Sequence, residues 1–485
     1  MSVIQIGPLP DAALAAPAQR RSSRRSLFEG KPARNHPGLV GALCSLLLVS
    51  CSDASKPVPE RPPVILIVID TLRADHLGMY GYQRPTSPQL DTWAASGRVF
   101  ENAQATSPWT LPSFASMLTG HLPSRHGATA KFKKSGVRCF ALDETLPTVA
   151  ESLRDSGYRT GAVVNNPFLA PELGLARGFD SYDHDRGSNV DSRRADVMVS
   201  RAIQWIDDQE GAPFFLLLHL FDPHVKYDAP APQRGTFTEG YTSKLSLPMG
   251  SVLPIRKGTL SLDDADRDFI RAAYDEELAF VDQELGRLKR ELDARGITDE
   301  ALIILTSDHG EELFDHGGFE HGHAMWQELL HVPFVVWGPG IEAGREAAPI
   351  CVTDVAATIA DFTGTEPITS SAGVSLWPNL ARGDRVPERL LVSEQILHGA
   401  ALHAGLAWPL KLIVDPVTGD SQLFDLAGDP GETVDLGASR PEEMAELKDA
   451  LSRFLQQATD GRRGQDSVDV DETTLEKLRA LGYAR

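Results

Sequence analysis

Two apolar segments far apart in the chain each end in acidic residues, and this feature constrains the fold more than any other. The segment from Val64 to Ile69 leads into Asp70, and the segment from Leu302 to Leu305 leads into Asp308 and His309. Such apolar runs predict strands that are buried on both faces of a parallel sheet. Because functional residues collect beyond the carboxyl ends of these strands, we expect the two acidic ends to meet in one crevice.

A hydroxyl-bearing segment lies between the two predicted strands. Thr110 is followed by Leu111, Pro112 and Ser113, a pattern typical of a helix N-terminus. A hydroxyl at that position and next to a divalent cation would lose its proton more readily, and the helix dipole would favour an incoming anion. Thr110 is therefore a helix cap if no metal ion binds nearby, and a candidate nucleophile if one does.

Asp70, Asp308 and His309 are residue types that together suit a divalent cation. Carboxylates and one imidazole bind Mn²⁺, Zn²⁺ or Ca²⁺. A single Asp is more often a helix cap or a surface charge. The run Ser-Asp-His-Gly-Glu at 307–311 favours the metal interpretation.

Four histidines lie near predicted strand ends or in a polar loop: His219, His224, His321 and His323. Such imidazoles could bind ester oxygens, protonate a leaving group or hold a second metal ion. A lone histidine is usually structural, so both interpretations stay open for each of them.

Composition narrows the possible partners. The chain has 485 residues, enough for one large α/β domain and a smaller one. Its net charge is −20, with carboxylates spread along the sequence. This balance argues against a nucleic-acid or anionic-membrane surface on the folded part, since both need basic patches.

The N-terminal region differs from the rest. Residues 1–37 are basic, and an apolar run from Gly38 to Ser50 ends at Cys51. The run is shorter than the roughly 20 residues of a spanning helix, but it suits a signal peptide. Leu48 to Cys51 resembles the lipoprotein cleavage box, and Ser23 to Phe28 resembles a twin-arginine signal. The alternatives are a short buried helix or an ordinary cleaved signal.

This region predicts where the protein is located. We interpret residues 1–51 as an export signal with a lipobox-like cleavage site and residues 52–62 as a tether. A lipid anchor at Cys51 would hold the protein at the periplasmic face of a bacterial envelope membrane. The exported setting would permit a disulfide between Cys139 and Cys351, although two separate buried thiols are the simpler expectation.

Apolar strands alternate with amphipathic helices, which predicts a doubly wound α/β sheet. Beyond about residue 385 shorter strands predict a small α+β subdomain. The predicted strands are 64–70, 158–164, 214–220, the segment ending at Asp308, 333–337, 390–392, 411–414 and 422–424. The predicted helices begin near Pro112 and span 144–157, 263–295, 441–455 and 474–481. The Pro- and Gly-rich insertion 226–261 is expected to be a lid or a mobile loop.

Several motifs together resemble the sulfatase family of the alkaline phosphatase superfamily. They are Ile69–Asp75, Thr110–Ser113 with Leu118–Gly120, Arg125–Gly127, Phe221–His224, Ser307–Gly310 and Leu423–Glu432. The resemblance implies a mixed sheet like that of alkaline phosphatase, with a catalytic domain at 63–385, a small C-terminal α+β subdomain at 386–458, and a linker with a short terminal helix at 459–485.

The sequence departs from the sulfatase pattern at the positions that matter for chemistry. Sulfatases carry Cys or Ser, oxidised to formylglycine, where this chain has Thr110. Threonine cannot give that aldehyde, because its β-carbon carries a methyl group. Phe114 replaces the usual Arg, and Thr71 replaces the second Asp of an Asp-Asp pair. The usual Gly-Lys-Trp-His stretch is absent, with Asn165 and Asn166 near its place.

Relatives of this superfamily that use Thr as the nucleophile attack phosphorus and form a phospho-threonine intermediate. The resemblance implies that Asp70, Thr110, Asp308 and His309 hold one metal ion. It also implies that the histidines 219, 224, and 321 or 323 contact the non-bridging oxygens or the leaving group.

We therefore predict a metal-dependent enzyme that cleaves a phosphate or phosphonate ester, with a diester favoured. The expected substrate is a small anionic ester. Three alternatives stay open: a sulfuric ester hydrolase without formylglycine, a phospho-group transferase to an envelope lipid or glycan, and an inactive protein that binds an anionic ligand.

Overall fold

The computed structural model describes residues 61–133, 136–184, 193–245, 252–256, 258–368, 372–459 and 467–481. The predicted export signal and nearly all of the predicted tether lie outside these ranges. Among the described residues, no helix combines the length and apolar character needed to cross a membrane.

The strands belong to one large sheet and three small ones. In chain order they are β1 (Val64–Ile69), β2 (Arg98–Gln104), β3 (Thr129–Lys133), β4 (Gly136–Phe140), β5 (Arg159–Val164), β6 (Ser181–His184), β7 (Phe214–Leu220), β8 (Leu302–Ser307), β9 (Glu312–Leu313), β10 (Phe319–Glu320), β11 (His331–Trp337), β12 (Gly344–Glu346), β13 (Ile350–Cys351), β14 (Leu391–Ser393), β15 (His403–Ala407), β16 (Leu410–Val414) and β17 (Ser421–Asp425).

The helices complete the list of elements. They are α1 (Pro88–Ala94), α2 (Thr110–Thr119), α3 (Pro123–His126), α4 (Val149–Asp155), α5 (Ala195–Asp207), α6 (Leu253–Arg256), α7 (Asp264–Ala294), α8 (Gln327–Leu330), α9 (Asp354–Thr363), α10 (Trp377–Arg382), α11 (Pro441–Thr459) and α12 (Glu472–Ala480).

The large sheet is mixed. Within the described ranges its order is β12-β2-β11-β8-β1-β7-β5-β6, with β13 also paired to β2. Strands β8, β1, β7, β5 and β6 are mutually parallel, whereas β11 is antiparallel to both β8 and β2. The predicted doubly wound mixed sheet is confirmed.

Strand β1 shows why this sheet needs helices on both faces. Its six side chains are fully buried. Val64, Leu66 and Val68 pack in a cluster with residues of α2, α4 and α9, and the alternate residues Ile65 and Ile67 pack with residues of α1, α5 and α7. Because successive side chains of a strand point to opposite faces, an apolar run with no polar interruption requires cover on both sides.

The small C-terminal sheet is antiparallel, in the order β14-β15-β16-β17. Leu447 and Leu451 of α11 pack with Leu412 and Leu423 of this sheet. The predicted division at residue 385 falls between α10 and β14. Strand β15 was not predicted from the sequence, because its residues His403–Ala407 include only one large aliphatic side chain.

Two predicted helix starts are corrected. Helix α4 begins at Val149 rather than Glu144, because Thr148 forms a capping box with Glu151: each side chain accepts a hydrogen bond from the other residue's backbone N–H. Helix α2 begins at Thr110, so that Pro112 lies in its first turn, where its missing N–H costs nothing.

The predicted insertion is anchored over its described part. One carboxylate oxygen of Glu276 on α7 accepts hydrogen bonds from Phe237 N (2.9 Å), Thr238 N (2.7 Å) and Thr238 Oγ1 (2.8 Å). Asp266, near the start of α7, accepts a hydrogen bond from the Ser243 hydroxyl. Helix α7 thus holds the segment 237–243 against the domain. Elsewhere, Cys139 and Cys351 are separate, buried, free thiols.

Candidate active site

Four neighbouring parallel strands end at the same edge of the large sheet. Asp70 follows β1, Asp308 and His309 follow β8, Asn166 follows β5, and His219 is the next-to-last residue of β7. All five side chains are buried. The sheet therefore collects acids, imidazoles and an amide at one point, as expected of an open α/β sheet.

Thr110 reaches this point from helix α2. It is the first residue of the helix and is 2% exposed. The hydroxyl of Ser113, one turn further along, donates a hydrogen bond of 2.6 Å to the backbone carbonyl of Asp308. The N-terminus of α2 is therefore tied to the end of β8, and its dipole favours negative charge beside the Thr110 hydroxyl.

The Nε2 atom of His309 is nearly equidistant from three oxygens that are candidate metal ligands. His309 Nδ1 donates to the carbonyl of Gly310 at 2.8 Å, so the neutral ring carries its lone pair on Nε2. That Nε2 is 3.4 Å from Thr110 Oγ1, 3.5 Å from Asp70 Oδ1 and 3.5 Å from Asp308 Oδ2. A carbonyl on the other ring nitrogen is the usual support of a metal-binding histidine. Ligands about 2.1 Å from a tetrahedral ion are about 3.4 Å apart.

The two carboxylates are not satisfied by the protein. Among the described residues, Asp70 Oδ1 and Asp308 Oδ2 are buried and lack a hydrogen-bond partner. Burial opposes ionisation of Asp70, but His219, His224 and His309 lower its pKa to about 2. Burial and the charge of Asp70 raise the pKa of Asp308 well above its usual range. A divalent cation would satisfy both oxygens and both charges, so these residues fit a metal ion.

His219 lies on the metal side of the site. Its side chain, Asp70 and Asp308 offer ligand atoms that lie within 4.8 Å of one another. The backbone N–H of Asn165 is 3.4 Å from His219 Nδ1, which places the proton of the neutral ring on Nε2, 3.3 Å from Asp70 Oδ2. His219 Nε2 thus faces Asp70 Oδ2, although among the described residues this nitrogen has no hydrogen-bond partner. The predicted contact of His219 with the substrate oxygens or the leaving group stays a prediction.

Asn166 is a site residue that the sequence analysis did not select. Its Nδ2 donates to Asp70 Oδ2 at 2.6 Å and to Thr110 Oγ1 at 3.2 Å. Its Oδ1 accepts from the backbone N–H of Phe168 at 2.8 Å, which fixes the orientation of the amide. Its position two residues after a predicted strand, where the sulfatase pattern was missing, was the available signal.

His224 and His321 extend the group of imidazoles that begins at His309. His224 Nδ1 donates to the Val225 carbonyl at 2.8 Å, and its ring is 5.0 Å from that of His321. The His321 ring is 4.5 Å from that of His309, and its Nδ1 is 2.7 Å from Glu311 Oε1. Burial lowers the pKa of His224 and lowers that of His321 well below its usual range. Glu311, fully buried, was also not predicted.

His323 is placed differently from His321. Its Nε2 is 2.7 Å from Glu312 Oε2, and its side chain is 28% exposed. Burial opposes protonation, but Glu312 raises the pKa of His323. Among the described ring contacts, it is His321 that touches His309. The geometry therefore favours His321 for the role that the sequence left open between the two.

The departures from the sulfatase pattern are visible in the packing. Phe114 sets its ring edge-on to the His219 ring, at 5.3 Å between centroids. Thr71 is buried with a φ of 55°, and its carbonyl accepts a hydrogen bond of 2.9 Å from the Tyr274 hydroxyl. Neither position brings a charged group to the site.

Comparison with known proteins agrees with this description. A family model described as Sulfatase matches residues 62–365, more than half of the chain. The fold and the site are those of an ester hydrolase of the alkaline phosphatase superfamily, acting on phosphoric or sulfuric esters. Within that superfamily, this chain belongs to the sulfatase family.

Individual relatives have low sequence identity to this chain but match most of its length. The chain is 24% identical over 456 residues to arylsulfatase K of Bos taurus, covering 82% of each protein. It is 27% identical over 409 residues to the multifunctional alkaline phosphatase superfamily protein PehA of Trinickia caryophylli, covering 67% of this chain and 78% of that protein. The structure is similar to that of the phosphonate monoester hydrolase of Agrobacterium radiobacter, with a TM-score of 0.69 and 20% identity, covering 84% of this chain and all of that one.

Proposed function

We propose that this protein cleaves a phosphate or phosphonate ester, preferably one with a single negative charge such as a diester, through a covalent intermediate on Thr110. The observation that carries the proposal is the position of the Thr110 hydroxyl. It lies at the N-terminus of α2, 3.4 Å from His309 Nε2, in the same site as two unsatisfied carboxylate oxygens.

The side chain of residue 110 separates this proposal from sulfate chemistry. A formylglycine requires a β-carbon with two hydrogens, as in Cys or Ser, whereas the β-carbon of threonine carries a methyl group. The hydroxyl can act directly as a nucleophile if its proton is lost, which a neighbouring cation and the helix dipole both favour. The site therefore suits direct attack on phosphorus.

Asp70, Thr110, Asp308 and His309 would hold the divalent cation, with Mn²⁺, Zn²⁺ and Ca²⁺ as the candidate ions. Bound there, such an ion supplies Lewis-acid stabilisation of negative charge at the reacting group. Asn166 would keep the Thr110 oxygen aligned, because its amide bridges that oxygen and Asp70.

The proposed reaction has two steps, the formation of the Thr110 intermediate and its hydrolysis. Thr110 Oγ1 bonds to phosphorus and its proton passes to solvent, while the bond from phosphorus to the leaving oxygen breaks. The leaving oxygen takes a proton from the protonated form of His224 or His321; because burial lowers the pKa of both rings, the ring that donates first takes up this proton from solvent. A water oxygen then bonds to phosphorus and gives a proton to the same imidazole. The bond from phosphorus to Oγ1 breaks, and Thr110 regains a proton from solvent.

The charge of the site supports the choice of substrate. Thr110 is surrounded by the neutral amide of Asn166 and the imidazole of His309, and Phe114 stands where the family pattern has arginine. A site with few cations suits a transferring group with one negative charge, as in a phosphodiester or a phosphonate with one ester bond. The similar phosphonate monoester hydrolase is consistent with this choice.

The test compares esters side by side on the protein from residue 52 onward. After loading with Mn²⁺, Zn²⁺ or Ca²⁺, turnover of p-nitrophenyl sulfate, p-nitrophenyl phosphate, bis-p-nitrophenyl phosphate and p-nitrophenyl phenylphosphonate is measured. We expect the two singly charged phosphorus esters to be cleaved fastest, and Thr110→Ala to lose at least about 10³-fold in kcat. A rapid quench and mass spectrometry should find the phosphoryl group on Thr110.

The results of these assays distinguish the proposed mechanism from the alternative functions. Sulfate turnover that survives Thr110→Ala would reject the threonine mechanism. Release of the leaving group that rises with an added alcohol would instead indicate a transferase. A sulfuric ester hydrolase remains the second candidate, because arylsulfatase K is among the relatives.

We also propose that the mature protein is anchored by lipid at Cys51 on the periplasmic face of a bacterial envelope membrane. The apolar run before Cys51 and the lipobox-like residues 48–51 support this location. Expression with a radiolabelled fatty acid should label the protein, and Cys51→Ser should abolish the label. Labelling that persists in the variant would reject the anchor.

A further inference from the structure

The small C-terminal subdomain carries a family-like motif whose last residue, Glu432, has no role in the mechanism above. Glu432 is 3% exposed, and its φ of 52° is in the left-handed region that residues other than glycine rarely adopt. The chain therefore accepts an unfavourable backbone conformation at the position of this buried carboxylate.

Glu432 forms an ion pair with Lys411 of β16, and both contact one segment of the catalytic domain. Lys411 Nζ is 2.7 Å from Glu432 Oε1 and donates to the Met325 carbonyl at 2.6 Å. Glu432 Oε2 accepts from the backbone N–H of Gln327 at 2.6 Å. Two charged side chains of the small subdomain, Lys411 and Glu432, are thus hydrogen-bonded to the backbone of Met325 and Gln327.

His316 makes further contacts between the same segment and Glu432. His316 Nε2 is 3.5 Å from the Glu432 carbonyl, and its Nδ1 is 2.7 Å from Glu328 Oε1. The ring of His316 also stacks on that of Trp326, 4.0 Å apart and nearly parallel. Both ends of the segment 316–328 are therefore held beside Glu432.

The same segment is joined to the metal-binding strand end. The carbonyls of Glu328 and Leu329 accept hydrogen bonds from Glu311 N (3.0 Å) and Gly310 N (2.9 Å). A side chain at Gly310 would bring its Cβ to 2.0 Å from the Glu328 carbonyl, so only glycine permits this approach. His309 directly precedes these residues.

We propose that the Lys411–Glu432 pair is a positioning device of the active site: by holding residues 325–328, it keeps Glu311 and the loop carrying His321 in place against His309. The pair touches none of the reacting groups and acts through the backbone of the 311–328 segment. Its role in catalysis rests on the proposed function, whereas its hold on the segment does not. The small subdomain thereby contributes to the geometry of the active site.

Two pairs of variants test the proposal. Lys411→Met with Glu432→Gln removes both charges at similar volume, so no buried charge is left unpaired. Its control, Arg389→Met with Asp354→Asn, removes another ion pair, in which Asp354 is buried and Arg389 is partly buried. The Asp354 carboxylate accepts hydrogen bonds from Cys351 N and Val374 N, away from the 311–328 segment.

The second comparison leaves both charges intact. Gln327 is the first residue of α8, a position that tolerates proline, and Trp326 before it is extended with φ −73° and ψ 161°. Gln327→Pro therefore deletes the Gln327 side chain and the backbone N–H that donates a hydrogen bond to Glu432. Gln327→Ala removes the same side chain and keeps the N–H, so it is the matched control.

Hydrogen exchange by mass spectrometry and steady-state kinetics are measured on each protein. In the charge-pair variant and in Gln327→Pro, we expect exchange of peptides from 311–328 to be at least tenfold faster than in their controls. We expect kcat to fall at least about tenfold, because displacement of about 1 Å at a site can cost 10²-fold, while KM and metal affinity stay within twofold.

Unchanged exchange in 311–328, or a kcat loss no greater than in the controls, would overturn the proposal. If the wild-type protein cleaves none of the esters, the proposed function fails, and the exchange comparison still decides whether the pair holds the segment. If the charge-pair variant does not fold, Gln327→Pro against Gln327→Ala gives the answer alone.

Discussion

The Nε2 atom of His309 lies 3.4 Å from the hydroxyl oxygen of Thr110, although the two residues are 199 positions apart in the chain. The same strand end positions both of them. Asp308, next to His309, offers its carbonyl to Ser113 in the first turn of the Thr110 helix. The candidate nucleophile and a candidate metal ligand are thus positioned together, so a change at one should affect the other.

Removal of the metal should lower both activity and stability. A ligand present at about 100 times its Kd adds about 2.7 kcal/mol to the free energy of unfolding. We expect EDTA to abolish ester cleavage and lower Tm, and Mn²⁺ or Zn²⁺ to restore both. In Asp308→Asn, added metal should no longer raise Tm, which differential scanning calorimetry would show. A metal-induced rise equal to that of the wild type would exclude Asp308 as a ligand.

Asn166→Ala should reduce kcat by about 10²-fold, comparable to the loss of one oriented hydrogen-bond donor at a reaction centre. The Asn166 amide bridges Asp70 and Thr110, so its removal frees the hydroxyl without removing a metal ligand. Titration calorimetry should find metal affinity within about threefold of the wild type.

Asn165→Ala is the neighbouring control for that experiment. Its side chain donates to the Arg193 carbonyl at 2.7 Å, and its contact with His219 is made by the backbone, which the substitution keeps. We expect kcat to stay within about threefold of the wild type. Equal losses in both variants would mean that local packing, rather than the bridge to Thr110, is what matters.

His321→Gln and His323→Gln should differ sharply. His321 contacts His309 and is oriented by Glu311, whereas His323 is partly exposed and paired with Glu312. We expect a loss of about 10²-fold in kcat for His321→Gln and less than about threefold for His323→Gln. If His321 protonates the leaving group, its loss should be larger for a phenyl ester than for a p-nitrophenyl ester. The reverse ranking of the two variants would assign the role to His323.

Glu276→Ala should release the anchored insertion. One oxygen of Glu276 accepts three hydrogen bonds from Phe237 and Thr238, and the residue is fully buried. We expect the free energy of unfolding to fall by about 2 kcal/mol and cleavage by a protease near residue 238 to accelerate. Glu276→Gln keeps an oxygen acceptor and should behave much more like the wild type. Unaltered proteolysis in Glu276→Ala would show that other contacts hold the segment.

Much of the fold could be predicted because its strongest signals are local. The apolar runs of β1, β7 and β8 can be satisfied only by burial on both faces, which requires a sheet with helices on either side. The 31-residue helix α7 repeats its apolar residues with helical spacing and differs from its prediction by one residue at each end. Strand β15 was not predicted, because its mostly short side chains show no such apolar pattern.

The candidate site was predicted in part for the same reason. Asp70, Asp308 and His309 directly follow apolar strands, so the rule that strands of a parallel sheet end at one edge brought them together. The sequence could not rank His321 above His323, because they are two positions apart in one loop. Only the hydrogen bonds with Glu311 and Glu312 place one ring beside His309 and the other toward the surface.

The sequence by itself determined the fold class, the sulfatase-like motifs and the replacement of the formylglycine position by Thr110. These depend on residue types and local spacing. The tertiary structure alone decided that Asn166 bridges Asp70 to Thr110, that His219 faces a carboxylate, and that Lys411 and Glu432 grip the segment next to His309. Each of these contacts joins residues far apart in sequence through directional polar bonds, and composition and periodicity carry no record of which partner a buried polar atom finds.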